Sequence, residues 1–428
     1  MRLAALVIAA VVGVPALAWA QGQTVVIKAD RVLDGKGATL TNTSLVVQGT
    51  KITKLDPNAT GVTYDLRGLT VMPGWIDTHA HIVQHFDRKT GKTPKRGEET
   101  PQEAVFYAVD NAYTTLLGGF TTVQSPGAEL DKDLRDFIAE SNVPGPRILS
   151  SFRAITNRTG TPDEIRAFVR KAVADGADFI KLFATASIRE GGAQTMSDEQ
   201  IQAACSEAKA NGKRAMVHAQ GPEGAKAAIL AGCSSIEHGN YLTDEVLDLM
   251  AQRKVYFDPN FGLLLHNYLD NRAKFIGGTF NEAGFAFMEK GIPIGVDTFK
   301  RALKRDIPIV FGTDAVAGAN GRNYEEFVYR VRDGGQKPMA AIVAATSTAA
   351  QSIGLGDTIG TIAPGFEADI IATDGDPLQD ITAVRRVVFV MKGGKVYKNL
   401  ATARKATTHS SAEAGSPSLL NTPFTRQD

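Results

Sequence analysis

Short apolar runs alternate with helical patterns eight times through the middle of the chain. The runs fall at 74–77, 121–124, 147–152, 179–183, 215–218, 235–238, 255–259 and 309–312, with helical segments between them such as 103–117, 162–175 and 197–211. Two of these segments open on helix-start chemistry: Thr161-Pro162-Asp163-Glu164, and Ser197 followed by Asp198 and Glu199. Eight alternations across 73–357 predict an α/β protein built on a (β/α)8 TIM-like barrel. A doubly wound open sheet shares the alternation but gives no reason for where the polar residues fall.

The two ends read differently. Val25-Val26-Ile27-Lys28-Ala29 and Ser44-Leu45-Val46-Val47 are apolar runs, and Asp34-Gly35-Lys36-Gly37 is a turn between them. A similar pair, Val387-Val388-Phe389-Val390-Met391 and Gly393-Gly394-Lys395-Val396-Tyr397, lies near the other end. Segments 21–72 and 358–400 are therefore expected to join into a small β-sandwich domain beside the barrel. Before them, one arginine, an apolar stretch and Ala18-Trp19-Ala20 match a secretory signal peptide, 1–20, cleaved near Ala20. The expectation is an exported protein, periplasmic or secreted, with no membrane association once the peptide is removed. The segment 401–428, rich in Thr, Ser, Ala and Pro, reads as a flexible tail.

Composition narrows the function classes. Among 428 residues, 47 Lys+Arg face 46 Asp+Glu, a formal charge of +1, which argues against a nucleic-acid partner. Only two cysteines are present, so neither a disulfide scaffold nor a cysteine metal cluster is expected. Export would allow Cys205 to pair with Cys233, but two buried free thiols are the expectation.

The candidate chemistry sits at strand ends. His79 and His81 follow the first predicted strand, Lys181 lies in the fourth, His218 and His238 end the fifth and sixth, and Asp314 follows the eighth. In a barrel all these positions converge on one face. His79-Ala80-His81 puts two imidazoles on the same side of an extended chain, within reach of one ion. Each residue alone has an ordinary explanation: a histidine bonding a carbonyl, an aspartate capping a turn. Lys181 is the exception, because a buried ammonium is costly without a partner. The agreement of six positions is what points to a metal site.

These residues also carry a resemblance. Val71-Met72-Pro73-Gly74-Trp75-Ile76-Asp77-Thr78-His79-Ala80-His81 resembles the opening signature of the metal-dependent amidohydrolase superfamily. Ser235-Ile236-Glu237-His238-Gly239, Phe311-Gly312-Thr313-Asp314 and the Gly360-Thr361-Ile362-Ala363-Pro364-Gly365 stretch resemble its later signatures. The chain is most similar to the imidazolonepropionase-like branch, with its prolidase-like dipeptidases and its amidases of N-acyl amino acids such as ochratoxin A. The resemblance implies two divalent metal ions, commonly Zn2+. His79, His81 and Asp314 would hold one and His218 and His238 the other, with Lys181, carboxylated by CO2, bridging them. It further implies Asp314 as the catalytic proton carrier and a homo-oligomer. Deaminases of the superfamily place a Glu three residues after the fifth-strand histidine; Gly221 stands there, which disfavours deamination.

Two alternatives stay in view: hydrolysis of a cyclic amide, as in imidazolonepropionase, and an exported binding barrel without catalysis. The second should have lost its ligands first, yet all six are present. Where dipeptidase-like relatives have a Gly-Gly-His loop after strand three, this chain has Arg153-Ala154-Ile155-Thr156-Asn157-Arg158-Thr159-Gly160. For a small-molecule or dipeptide substrate, the candidate contacts are Tyr241, His85, His266, Arg153 and Arg322, with Arg158 and Arg189 also on mouth-side loops. The apolar stretch Asn260-Phe261-Gly262-Leu263-Leu264-Leu265 suggests either a bulky apolar substrate residue or a subunit contact.

Overall fold

Eight parallel segments close into a ring in the computed structural model, which describes residues 24–95 and 97–401. The expected signal peptide lies outside the described residues, as does all of the expected tail except Ala401. Seven segments are strands: Trp75–Asp77, Phe120–Ser125, Arg147–Ser150, Ile180–Phe183, Ala215–Ala219, Ser235–His238 and Tyr256–Asp258. The eighth, 309–312, bridges Ile309 to Phe257 on one side. On the other, Thr78 N donates to Phe311 O at 2.8 Å and Thr313 N to His79 O at 3.2 Å, which closes the ring. The third strand breaks at Phe152, whose φ is +57°, and resumes as Ala154–Ile155 against the fourth.

The helices start where their caps require. Thr100, Thr161 and Ser197 each accept a backbone N–H three residues on, while Glu103, Glu164 and Gln200 bond back to the cap. These capping boxes fix the helices Pro101–Leu117, Pro162–Ala174 and Asp198–Ala210 on the outside of the ring.

Strands from both chain ends form one hydrogen-bonded sheet. Its order is Lys395–Asn399, Val387–Lys392, Ile370–Thr373, Thr70–Pro73, Val25–Leu33, Thr39–Gln48 and Lys51–Leu55, with Tyr64–Asp65 also paired to Val25–Leu33. The pairing joins both ends as expected; it does not by itself divide the sheet into the facing layers of a sandwich. This sheet passes directly into the barrel at Pro73-Gly74-Trp75. A Cβ on Gly74 would lie 2.2 Å from Thr121 Oγ1, so only glycine lets the chain run so close to the second strand.

The expectation of free thiols is corrected: Cys205 and Cys233 form a buried disulfide, with Cα atoms 5.2 Å apart. They are 28 residues apart in sequence. Cys205 sits on helix Asp198–Ala210 and Cys233 in the turn between helix Pro222–Leu230 and strand Ser235–His238, a proximity that sequence spacing does not reveal. No helix among the described residues is long and apolar enough to cross a membrane.

Candidate metal centre

At the C-terminal mouth of the ring the first and eighth strands are clipped together by Asp77. Its buried carboxylate accepts from His79 N at 3.0 Å, Thr313 N at 3.1 Å, Thr313 Oγ1 at 2.6 Å and Asn323 Nδ2 at 2.7 Å. Burial outweighs these bonds and pushes its pKa up to about 7. The clip sets His79 and His81, just beyond the strand end, against Asp314. Asp314 Oδ1 lies 3.4 Å from His79 Nε2 and 2.9 Å from His81 Nε2, and Oδ2 lies 3.8 Å from His238 Nε2. His238 packs edge-on to His218, with ring centroids 4.5 Å apart. Lys181 enters the cluster from the fourth strand, its ammonium 5.2 Å from the Phe183 ring centroid. All six positions singled out in the sequence therefore converge. The ligand atoms of His79, His81 and Asp314 lie within 4.8 Å of one another, close enough to share an ion.

The electrostatics suit metal ligands. Burial above all, with Lys181 and neighbouring histidines, holds His79, His218 and His238 well below the ordinary histidine pKa, so each keeps a nitrogen lone pair. Burial opposes ionisation of Asp314, but His79, His81 and His238 outweigh it and hold the carboxyl well below the usual range. Two polar atoms of the six clustered residues are buried with no hydrogen-bond partner. Lys181 Nζ has none, and nothing near Asp314 Oδ1, His81 included, is angled to bond it. Burial lowers the Lys181 pKa although Glu237, Asp314 and Asp258 pull the other way. Orphaned atoms among nitrogen and oxygen donors fit a cation that completes the cluster. His238 and Asp314 also hold left-handed backbone angles, φ +71° and +48°, a strain of roughly 1–3 kcal/mol each that surrounding contacts must sustain.

The cluster forms the floor of a cavity of about 600 Å³. Phe183, Ile188, Leu264, Tyr268 and Val316 give it an apolar wall, and Arg158 and Arg189 bring guanidinium groups to it. Arg189 is anchored 4.0 Å over the Phe280 ring and donates to Thr279 Oγ1 at 3.1 Å. Arg158 has no side-chain partner among the described residues.

The other five candidate contacts lie elsewhere. His85 is bound between Glu99 at 2.9 Å and Val83 O at 3.0 Å and stacks on Tyr107. Arg153 pairs with Glu129 at 2.6 Å, and Arg322 forks onto Glu325 at 3.0 and 2.8 Å. Tyr241 is partly buried against the apolar cluster that contains Ile188 and Phe285. His266 stacks on Tyr329, 4.5 Å away. Helix geometry explains this last case. In Leu263–Asp270, Leu264 and Tyr268 are four apart and share the cavity face, so His266, midway between them, points elsewhere. The apolar 260–265 stretch is itself buried within the chain; only Leu264 of it reaches the cavity.

Behind the cluster lies a polar layer the sequence reading missed. Glu237 Oε2 is 3.1 Å from His79 Nδ1, and Ser235 Oγ donates to Glu237 Oε1 at 2.6 Å. Asp258 accepts from Thr78 Oγ1 at 2.6 Å, Gly312 N at 2.8 Å and Arg330 at 3.1 Å, and Arg330 also bonds Glu326 at 3.1 Å. Burial above all raises the pKa values of Glu237 and Asp258, with repulsion from Asp314 adding at Glu237 and from Glu237 adding at Asp258. The signal was available: a carboxylate inside an apolar barrel strand is as unusual as Lys181.

Comparison with known proteins agrees with this geometry. Residues 70–397 match the amidohydrolase family. Ochratoxinase from Aspergillus niger is 25% identical, over 88% of this chain and 87% of its own length. Imidazolonepropionase from Caldanaerobacter subterraneus subsp. tengcongensis is 23% identical over 73% and 78%. A crystal structure of a Xaa-Pro dipeptidase with bound methionine in the active site superposes with a TM-score of 0.80 at 31% identity, covering 88% of this chain and 100% of that one. With its parallel barrel and a mouth built from histidines, a lysine and an aspartate, the chain belongs to the amidohydrolase family, as a hydrolase acting on amide bonds.

Proposed function

We propose that the protein is an exported, binuclear metal-dependent amidohydrolase. It releases the C-terminal amino acid from N-acyl amino acids or dipeptides, preferring a bulky apolar residue such as phenylalanine. Ochratoxin A, an aromatic acyl group joined to phenylalanine, is the specific candidate. The observation that carries the reading is Lys181 Nζ, fully buried and without a hydrogen bond amid three histidines and Asp314. A lysine whose pKa is lowered by burial presents the neutral amine that would add to CO2, and loss of one N–H proton to solvent would leave a carbamate anion, a charge that suits two cations. His79, His81 and Asp314 would hold one ion and His218 and His238 the other, most suitably Zn2+. Such ions supply Lewis-acid polarisation of an amide carbonyl and a lowered pKa for water.

The chain's own residues do the rest. Asp314 takes the proton of the attacking water on a carboxylate oxygen and delivers it to the leaving nitrogen. Phe183, Ile188, Leu264 and Tyr268 hold the apolar side chain and exclude water. Arg158, whose side chain has no partner among the described residues, receives the substrate carboxylate, with Arg189 beside it. The buried disulfide supports export, because such bonds persist in oxidising compartments. A homo-oligomer remains part of the proposal and is read by light scattering.

The test is a panel of dipeptides and N-acyl amino acids ending in Phe, Leu, Pro or Arg, with ochratoxin A and a cyclic imidazolone, each with and without chelator. Chelator-sensitive release of amino acid, greatest for Phe and Leu, is expected. Ring opening of the imidazolone with no release from the others would replace the proposed substrate class with the cyclic-amide reading that the imidazolonepropionase relatives favour.

A further inference from the structure

Glu237 and His238 are neighbours at the end of the sixth strand and point to opposite sides of it. His238 faces the cavity. The Glu237 carboxylate faces the back of a different ligand, with Oε2 3.1 Å from His79 Nδ1 and both groups buried. The opposite nitrogen of that ring, Nε2, faces Asp314 Oδ1 at 3.4 Å. A neutral imidazole carries one N–H and one lone pair, so whatever bonds Nδ1 decides what Nε2 offers to the cluster.

Two groups compete for Nδ1. Glu237 presents Oε2, an oxygen that accepts the N–H from it, at 3.1 Å. Asn260 Nδ2, 3.3 Å from the same atom, can only donate to it. If Asn260 prevailed, the ring proton would move to Nε2, and the lone pair would point away from the cluster. Asn260 Nδ2 has another acceptor, the Asp258 carbonyl at 3.1 Å, whereas Glu237 is held in place by Ser235 Oγ at 2.6 Å. Asp258 is held in turn by bonds from Thr78 Oγ1 at 2.6 Å, Gly312 N at 2.8 Å and Arg330 at 3.1 Å.

We infer that Glu237 is the positioning residue that fixes His79 as its Nδ1–H tautomer and so turns the Nε2 lone pair toward the metal cluster, against the opposing pull of Asn260. The inference rests on the metal-centre reading but assigns a residue that the ligand set does not include. Carboxylates behind ligating histidines typically contribute 10–100-fold to metal affinity.

The probe is Zn2+ alone, titrated into metal-stripped full-length protein against a chromophoric chelator. Glu237→Leu leaves only Asn260 at Nδ1 and is expected to weaken Zn2+ binding about 10–100-fold. Glu237→Gln, which keeps an acceptor oxygen, should retain most of the affinity. Asn260→Ala in the Glu237→Leu background should recover part of the loss, because the competing donor is gone. In the metal-free proteins, 15N-labelled histidine should report His79 as Nδ1–H in the wild type and Nε2–H in Glu237→Leu. A purely structural role would instead lower thermal stability without that tautomer change and without recovery by Asn260→Ala. Should Glu237→Leu fail to fold, Glu237→Ala gives the same readings. Unchanged Zn2+ affinity or an unchanged tautomer in a folded variant overturns the inference. Wild-type protein that takes up no Zn2+ overturns the metal-centre reading instead.

Discussion

Replacing Lys181 with methionine separates two roles that a buried ammonium can have. The side chain is 1% exposed, and its Nζ makes no hydrogen bond. As a structural cation it would balance Glu237, Asp258 and Asp314, and removing one member of such a buried set costs about 3–5 kcal/mol. As the precursor of a bridging carbamate it is instead a liability in the metal-free protein. Its pKa is lowered, so burial outweighs the attraction of the three carboxylates. Methionine fills nearly the same space without a charge to desolvate. The metal-free variant should then be at least as stable as metal-free wild type, by up to roughly 1–3 kcal/mol, the cost of an unmet buried polar group. The metal-loaded comparison reverses, because the variant loses its bridge. Urea denaturation of both metal-free proteins and metal content by mass spectrometry give the two readings. A metal-free Lys181→Met protein several kcal/mol less stable than wild type, with undiminished metal content, would refute the bridging role.

Three further outcomes follow from named contacts. Asp314→Asn should lower kcat by about 10²–10⁴-fold, the usual contribution of a general base, while KM moves little; steady-state kinetics on the best substrate of the panel would show otherwise if Asp314 were only a ligand or a cap. Arg330→Met strands Asp258 and Glu326, both fully buried, and should cost about 3–5 kcal/mol in denaturation; adding Asp258→Asn should recover part, and a loss below about 1 kcal/mol would show the charges to be compensated elsewhere. Asp131 is buried beneath Ser125 and Ser150, and burial raises its pKa to about 6. The native state therefore binds this proton more tightly than the unfolded chain, and stability falls as pH rises from the unfolded value through about 6. Asp131→Asn should accordingly gain about 2–3 kcal/mol near neutral pH and little near pH 4; equal effects at both pH values would contradict this.

Periodicity and strand-end chemistry alone located the eight barrel segments and the six clustered residues. Both signals are local. A buried strand is mostly apolar, so a charged or metal-ligating residue in it or at its end stands out, and barrel closure sends every such end to the same face. The partners of those residues were decided by tertiary structure. His266 and Leu264 are two residues apart, yet only one reaches the cavity, because helix phase turns them apart. Arg153 and Arg158 belong to one loop, and only the position of Glu129 determines which of them is occupied. Cys205 met Cys233 because a barrel helix packs beside the turn that leads into the sixth strand. Arg330 and Glu326 share one helix, but Asp258 comes from a barrel strand, and the three are legible only as a set, since the energy of a buried charge depends on which charges lie beside it. Sequence determined which side chains this protein would bury with charge; the fold decided what each one faces, and therefore what it can do.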